Sequence, residues 1–156
     1  MRVLRLPEGV SGGLWLASMP GRLERWESFL AAARRTGLTQ VVCLNPIDEV
    51  AHDAPAYHAA IVQGRLPFAW RHLPMRNYGL ADDEAAWADG VRAVAADLRA
   101  GQQVLLHCAA GIGRTGTVAA CMLKALGLPS AEALARVRAA GSNPQSARQS
   151  GRIDRF

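Results

Sequence analysis

At 156 residues, half of them hydrophobic, the chain has the size of one compact domain and enough apolar material for a core, which excludes a disordered or fibrous protein. Its net charge of +5 comes almost wholly from arginines spread along the chain, with Lys124 the only lysine, so no nucleic-acid partner is expected although anions are drawn to the surface. Cys43, Cys108 and Cys121 are too scattered for a disulfide framework, and His52, His58, His72 and His107 lack ligand-like spacing, so neither metal nor cofactor is expected.

The N-terminal stretch carries Arg2, Arg5, Pro7 and Glu8 and has no uninterrupted apolar run, unlike a secretion signal, and no segment reaches membrane-spanning length. A cytoplasmic protein without membrane attachment is expected. Leu14, Trp15 and Leu16, between Gly12-Gly13 and the turn at Ser18 to Gly21, read as a short strand. Leu23, Trp26, Phe29, Leu30 and Ala33 recur at helical spacing and predict a helix over 22–35, stopped by Gly37. The apolar run at 40–44 predicts a buried strand, and Asn45-Pro46 a break into a loop.

A helix is expected over 54–62, a strand over 68–73 and a loop over 74–81. Acidic residues at the start and Gly101 past the end mark a helix over 82–99. A strand over 103–106 feeds a glycine-rich loop over 107–115 and then an apolar helix over 116–126. Ser130 is a candidate cap for the helix after it, and 144–156 closes the chain as a short helix. Strands alternating with helices predict a single-domain α/β fold over 1–156: a central, mainly parallel sheet flanked by helices, with ligands at the carboxyl ends of its strands.

The glycine-rich loop reads His107-Cys108-Ala109-Ala110-Gly111-Ile112-Gly113-Arg114-Thr115-Gly116. A loop joining a strand to a helix N-terminus aims several backbone N–H groups at one point and makes an anion cradle. Gly111 and Gly113 permit the tight backbone this needs. The same N–H groups and the helix dipole favour the thiolate of Cys108. Arg114, folding back over the loop, offers a planar fork to two phosphate oxygens. A thiolate under a bound phosphate is poised for in-line displacement.

These residues resemble the protein tyrosine phosphatase superfamily signature of His-Cys, five residues, then Arg and Ser or Thr. Gly111 to Gly116 is similar to tyrosine-specific members, whereas the chain length resembles the dual-specificity group, nearest the kinase-associated phosphatase type. The likeness extends over most of the chain, from the Pro20-Gly21 turn to the tail around Gln145 to Gln149. It implies a phosphatase loop between the last strand and a helix, and a phosphocysteine intermediate formed on Cys108. It further implies that Arg114 clamps the phosphoryl group, Thr115 steadies the thiolate and His107 orders the loop. Ala109, Ala110, Gly111, Ile112 and Gly113 would supply the phosphate-binding backbone. Gln149, with Gln145 beside it, is a candidate for positioning the hydrolytic water.

The family protonates the leaving oxygen with an aspartate on a loop upstream of the cysteine. Matching Pro74 and Gly79 places Asn77 at that position, and an amide cannot act as a general acid. Asp82, at the end of the same loop, is the first substitute, though it also suits a helix N-cap. Asp48 and Glu49 follow, with solvation or an ion pair ordering Arg114 as their other roles. The leading expectation is therefore phosphomonoester hydrolysis on a phosphorylated protein, with a small phosphate ester as the alternative substrate. A phosphate-binding pseudophosphatase with little turnover is the competing reading, and sulfur transfer or arsenate reduction a more distant one.

Overall fold

A computed structural model describes residues 1–156. In chain order its elements are β1 (Arg2–Leu4), β2 (Gly13–Ser18), α1 (Trp26–Thr36), β3 (Gln40–Cys43), α2 (Ile47–Asp53), α3 (Pro55–Val62), β4 (Ala69–His72), α4 (Glu84–Arg99), β5 (Gln103–Cys108), α5 (Gly113–Ala125), α6 (Ser130–Ala139) and α7 (Ala147–Arg155). The strands form one sheet in the order β1-β2-β5-β3-β4. All neighbours are parallel except β1 with β2, which pair antiparallel. The expected α/β architecture is the observed one, and no helix is long and apolar enough to cross a membrane.

β5 lies at the centre of the sheet and both its faces are covered, which explains its unbroken apolar reading. Alternation along the strand divides its side chains. Val104, Leu106 and Cys108 join the core formed with α4, α5, α6 and α7, while Leu105 packs with Phe29 and Ala33 of α1. A smaller cluster of Met19, Cys43, Val50, Ala54 and Tyr57 fills the end of the sheet beneath α2 and α3. Each large apolar side chain buried in this way stabilises the fold by ~1.5–3 kcal/mol.

Several boundaries differ from the sequence expectation, each for a local reason. α1 begins at Trp26 rather than at residue 22, because Arg22 closes a turn onto the Met19 carbonyl and Arg25 is extended. Its end is as expected: Gly37 adopts a left-handed φ of 69° and Leu38 N–H returns to the Ala33 carbonyl. The loop expected after Asn45-Pro46 contains α2. Seven residues are too few for propensity to reveal a helix, and tertiary packing of Val50 holds it.

β1 was not anticipated, since three residues carry no readable period. α4 starts at Glu84, and its cap is Asp83, whose carboxylate accepts from Ala86 N–H at 2.9 Å. Asp82 is therefore not the cap. Nor does Ser130 cap α6, because the Ncap position belongs to Pro129. α5 starts three residues earlier than expected, at Gly113, since complete burial of its first turns overrides the poor helix propensity of glycine.

Candidate active site

Cys108 closes β5, 3% exposed, and Gly111 N–H donates to its Sγ at 3.2 Å. Gly111 has a φ of +73°, and a methyl at that residue would strike the Ala17 carbonyl and the Ser18 nitrogen, so only glycine fits. The loop is tied to both neighbouring strands. Leu44 N–H reaches the His107 carbonyl at 3.1 Å, and Met19 N–H reaches the Ala109 carbonyl at 3.2 Å. Arg22 also donates to the Ala109 carbonyl, at 3.3 Å. No side chain caps the start of α5, so its first N–H groups are left for an anion.

Arg114 lies in the first turn of α5 with only 4% of its side chain exposed. Its Nη1 donates to both carboxylate oxygens of Glu49 at 3.0 Å and to the Met75 carbonyl at 3.2 Å. Asn45 donates to Glu49 Oε2 at 2.7 Å. Of the roles open to Glu49, the structure displays the ion pair that orders Arg114; Asp48 is an exposed residue on the same short helix. Thr115 is fully buried next to Arg114, and its hydroxyl has no partner within the protein.

On the opposite face of β5, His107 Nε2 lies 3.1 Å from the hydroxyl of buried Tyr57. That hydroxyl accepts from Trp70 Nε1 at 2.8 Å. The phenol oxygen can accept a second hydrogen bond or give up its own proton, so it pairs with His107 Nε2 in either tautomer of the ring. Burial above all pushes His107 down to about 3, so it stays neutral. Burial raises the Tyr57 phenol well above its ordinary range. The other two cysteines lie in the core, where burial pushes Cys43 and Cys121 up to about 12 and keeps them as inert thiols.

The two glutamines of the tail are placed differently. Gln149 is buried, and its Oε1 accepts from Gln145 N–H at 2.8 Å. The Gln145 side chain is the one that lies against Gly113. Ala110 and Ile112 are exposed at the loop's outer surface.

The structure does not bring Asp82 to this loop. Its carboxylate is 77% exposed and pairs with Arg76 Nε at 2.8 Å. It edges a hollow lined by Pro74, Met75, Ala86 and Trp87, which no residue of the 107–115 loop lines. Asn77 is an exposed turn residue preceding Tyr78, which has a left-handed φ of 54°.

Sequence reasoning missed Tyr57, Trp70, Asn45, Arg2 and Ser142 as supports of the site. For Tyr57 and Trp70 a signal existed: a buried phenol or indole needs a hydrogen-bond partner. The other three are revealed only by the tertiary fold.

The family model described as PTP-SAK, Swiss Army Knife protein, DSP-PTPase phosphatase domain, matches residues 12–153. The chain belongs to this family, and is a dual-specificity-type member of the protein tyrosine phosphatase superfamily, a class of phosphoric monoester hydrolases. No curated protein matches the chain significantly. Among solved structures, it is similar to a kinase associated phosphatase whose catalytic-site cysteine is replaced by serine: TM-score 0.79, 19% identity, 99% of this chain and 92% of that one. It is also similar to the human tyrosine phosphatase-like serine/threonine/tyrosine-interacting protein: TM-score 0.71, 19% identity, 98% and 93% covered. A third is the core catalytic domain of the PP-IP phosphatase SIW14 from S. cerevisiae in complex with citrate: TM-score 0.63, 18% identity, 98% and 88% covered. At these identities the likeness establishes the fold.

Proposed function

We propose that this chain hydrolyses phosphate monoesters through a phosphocysteine on Cys108. The thiolate attacks phosphorus, an S–P bond forms, and the P–O bond to the leaving group breaks, the leaving oxygen taking a proton. Water then attacks phosphorus, the S–P bond breaks, inorganic phosphate departs and the thiolate returns. The backbone N–H groups of residues 109–113 and the guanidinium of Arg114 hold the three equatorial oxygens. The buried, unpartnered hydroxyl of Thr115 stabilises the thiolate as it leaves. Gln145, held by Gln149, borders the path of the incoming water.

One observation carries the reading: a buried sulfur accepts an N–H from its own glycine loop at the mouth of an uncapped helix, next to an arginine already ordered by a carboxylate. We assign the leaving-group proton to Asp82, which needs the 74–83 loop to swing toward the phosphate. The Asp82–Arg76 pair opposes this weakly, because an exposed ion pair is worth ~0–1 kcal/mol. The substrate class is a phosphorylated protein, with small phosphate esters the alternative, and the free catalytic thiol suits the reducing cytoplasm.

The test compares p-nitrophenyl phosphate, a phosphotyrosine peptide and a phosphoserine peptide on the wild type and Cys108→Ser. The expected outcome is turnover by the wild type and a loss on the order of 10⁴-fold or more in the variant. Undiminished turnover by the variant sinks the mechanism. The displaced Asp82 and the amide at residue 77 favour a second reading, a phosphate binder with little turnover. Acid quench during turnover separates the two, because only an enzyme accumulates a phosphocysteine.

A further inference from the structure

The geometry points to Arg2, on the edge strand of the sheet, as a positioning residue of the phosphate loop. This inference rests on the reading that the loop binds a phosphoryl group. Gly111 faces two ways: its N–H donates to Cys108 Sγ, while its carbonyl turns outward and accepts from Ser142 Oγ at 2.7 Å and from Arg2 Nη2. Arg2 Nη2 also reaches Ser142 Oγ at 3.2 Å, and Arg2 Nη1 donates to the Gly141 carbonyl at 2.6 Å. One guanidinium therefore joins β1, the α6–α7 connection and the phosphate loop. Ser142 is 1% exposed, so its hydroxyl is committed to this contact.

The consequence follows from peptide geometry. In a trans peptide the carbonyl and the next N–H point in opposite directions, and the chain has no cis bond. Holding the Gly111 carbonyl outward therefore turns Ile112 N–H inward, toward the space over Cys108. A half-turn of that plane would put a carbonyl dipole where an anion needs a donor. Glycine, lacking a Cβ, offers little resistance to such a turn, so the restraint must come from outside the loop. Arg2 and Ser142 provide it. The arginine charge also polarises the peptide and makes Ile112 N–H a stronger donor.

The test uses the full chain as wild type, Arg2→Met, Arg2→Lys and Ser142→Ala. Two readouts bear on the loop and not merely on stability: affinity for tungstate, and the rate of Cys108 alkylation by iodoacetate at fixed pH. Arg2→Met is expected to weaken tungstate binding ~10-fold, about 1.4 kcal/mol, and to slow the alkylation. Arg2→Lys should recover part of both losses.

An Arg2→Met protein with wild-type tungstate affinity and alkylation rate overturns the inference, even if its melting temperature falls. Should Arg2→Met fail to fold, Ser142→Ala removes the other donor to the same carbonyl and is judged by the same two readouts. A wild type that binds no tungstate refutes the parent reading instead, and only the wild-type arm reports that.

Discussion

Two loops carry the proposed chemistry, and they are built on opposite terms. The 107–115 loop is buried apart from its outer surface at Ala109, Ala110 and Ile112, and neighbouring strands, the α6–α7 connection and a carboxylate hold its backbone and its arginine. The 74–83 loop ends in exposed residues, and its acidic group is held by one exposed arginine. A site for a dianion must be ready beforehand, since reorganising donors around the charge would add to the barrier. A proton donor must let substrate in and then approach it, so weak restraint suits it. In the proposed mechanism binding strength and proton delivery fall to separate segments, and they can be altered separately.

The largest effect expected from dividing them is on the proton. Asp82→Asn should slow hydrolysis of a phosphoserine peptide by ~10²–10⁴-fold. p-Nitrophenyl phosphate, whose leaving group needs no proton, should be nearly unaffected. Equal sensitivity of the two substrates would mean that Asp82 acts on the loop and not on the leaving oxygen. Next comes the clamp: Glu49→Gln removes the charge that orders Arg114, and kcat/KM should fall ~10–100-fold on both substrates alike, in keeping with a charge-assisted bond worth ~1.5–3 kcal/mol. Steady-state kinetics with both substrates checks this, and an unchanged kcat/KM would show that the Met75 carbonyl suffices.

A last effect concerns stability. His107 falls from 6.5 unfolded to about 3 folded, so the unfolded chain takes up its proton first, and stability is lost as pH falls from about 6.5 toward 3. Urea titrations across that window should give a shallower pH dependence for His107→Gln. An identical slope would mean that the imidazole takes up its proton as readily in the fold as in the unfolded chain.

The central strand and the chemistry-bearing loop were legible because their signals are local. An unbroken apolar run, two glycines and a Cys-to-Arg spacing all fall within one short segment. What stayed hidden depends on distant contacts. α2 and β1 are too short to show a period, yet they deliver Glu49 and Arg2 to the loop. Asp82 and Asp83 are chemically alike, and sequence could not tell the cap from its neighbour; only the Ala86 N–H contact selects Asp83. The glutamine pair shows the same limit: Gln149, with Gln145 beside it, reads as a candidate for positioning water, and only the fold reveals that Gln149 is buried with its Oε1 accepting from Gln145 N–H.

The contact from Arg2 to the Gly141 carbonyl spans 139 residues, and the one from Arg2 to the Gly111 carbonyl spans 109. Bringing such remote segments together carries a closure entropy that must be met before the contact contributes anything. During refolding, the helices and the β3–β5 pairing can gather early, while this three-way junction awaits nearly the whole chain. Tryptophan fluorescence should thus recover ahead of oxyanion affinity, leaving a short-lived species that is packed but chemically silent.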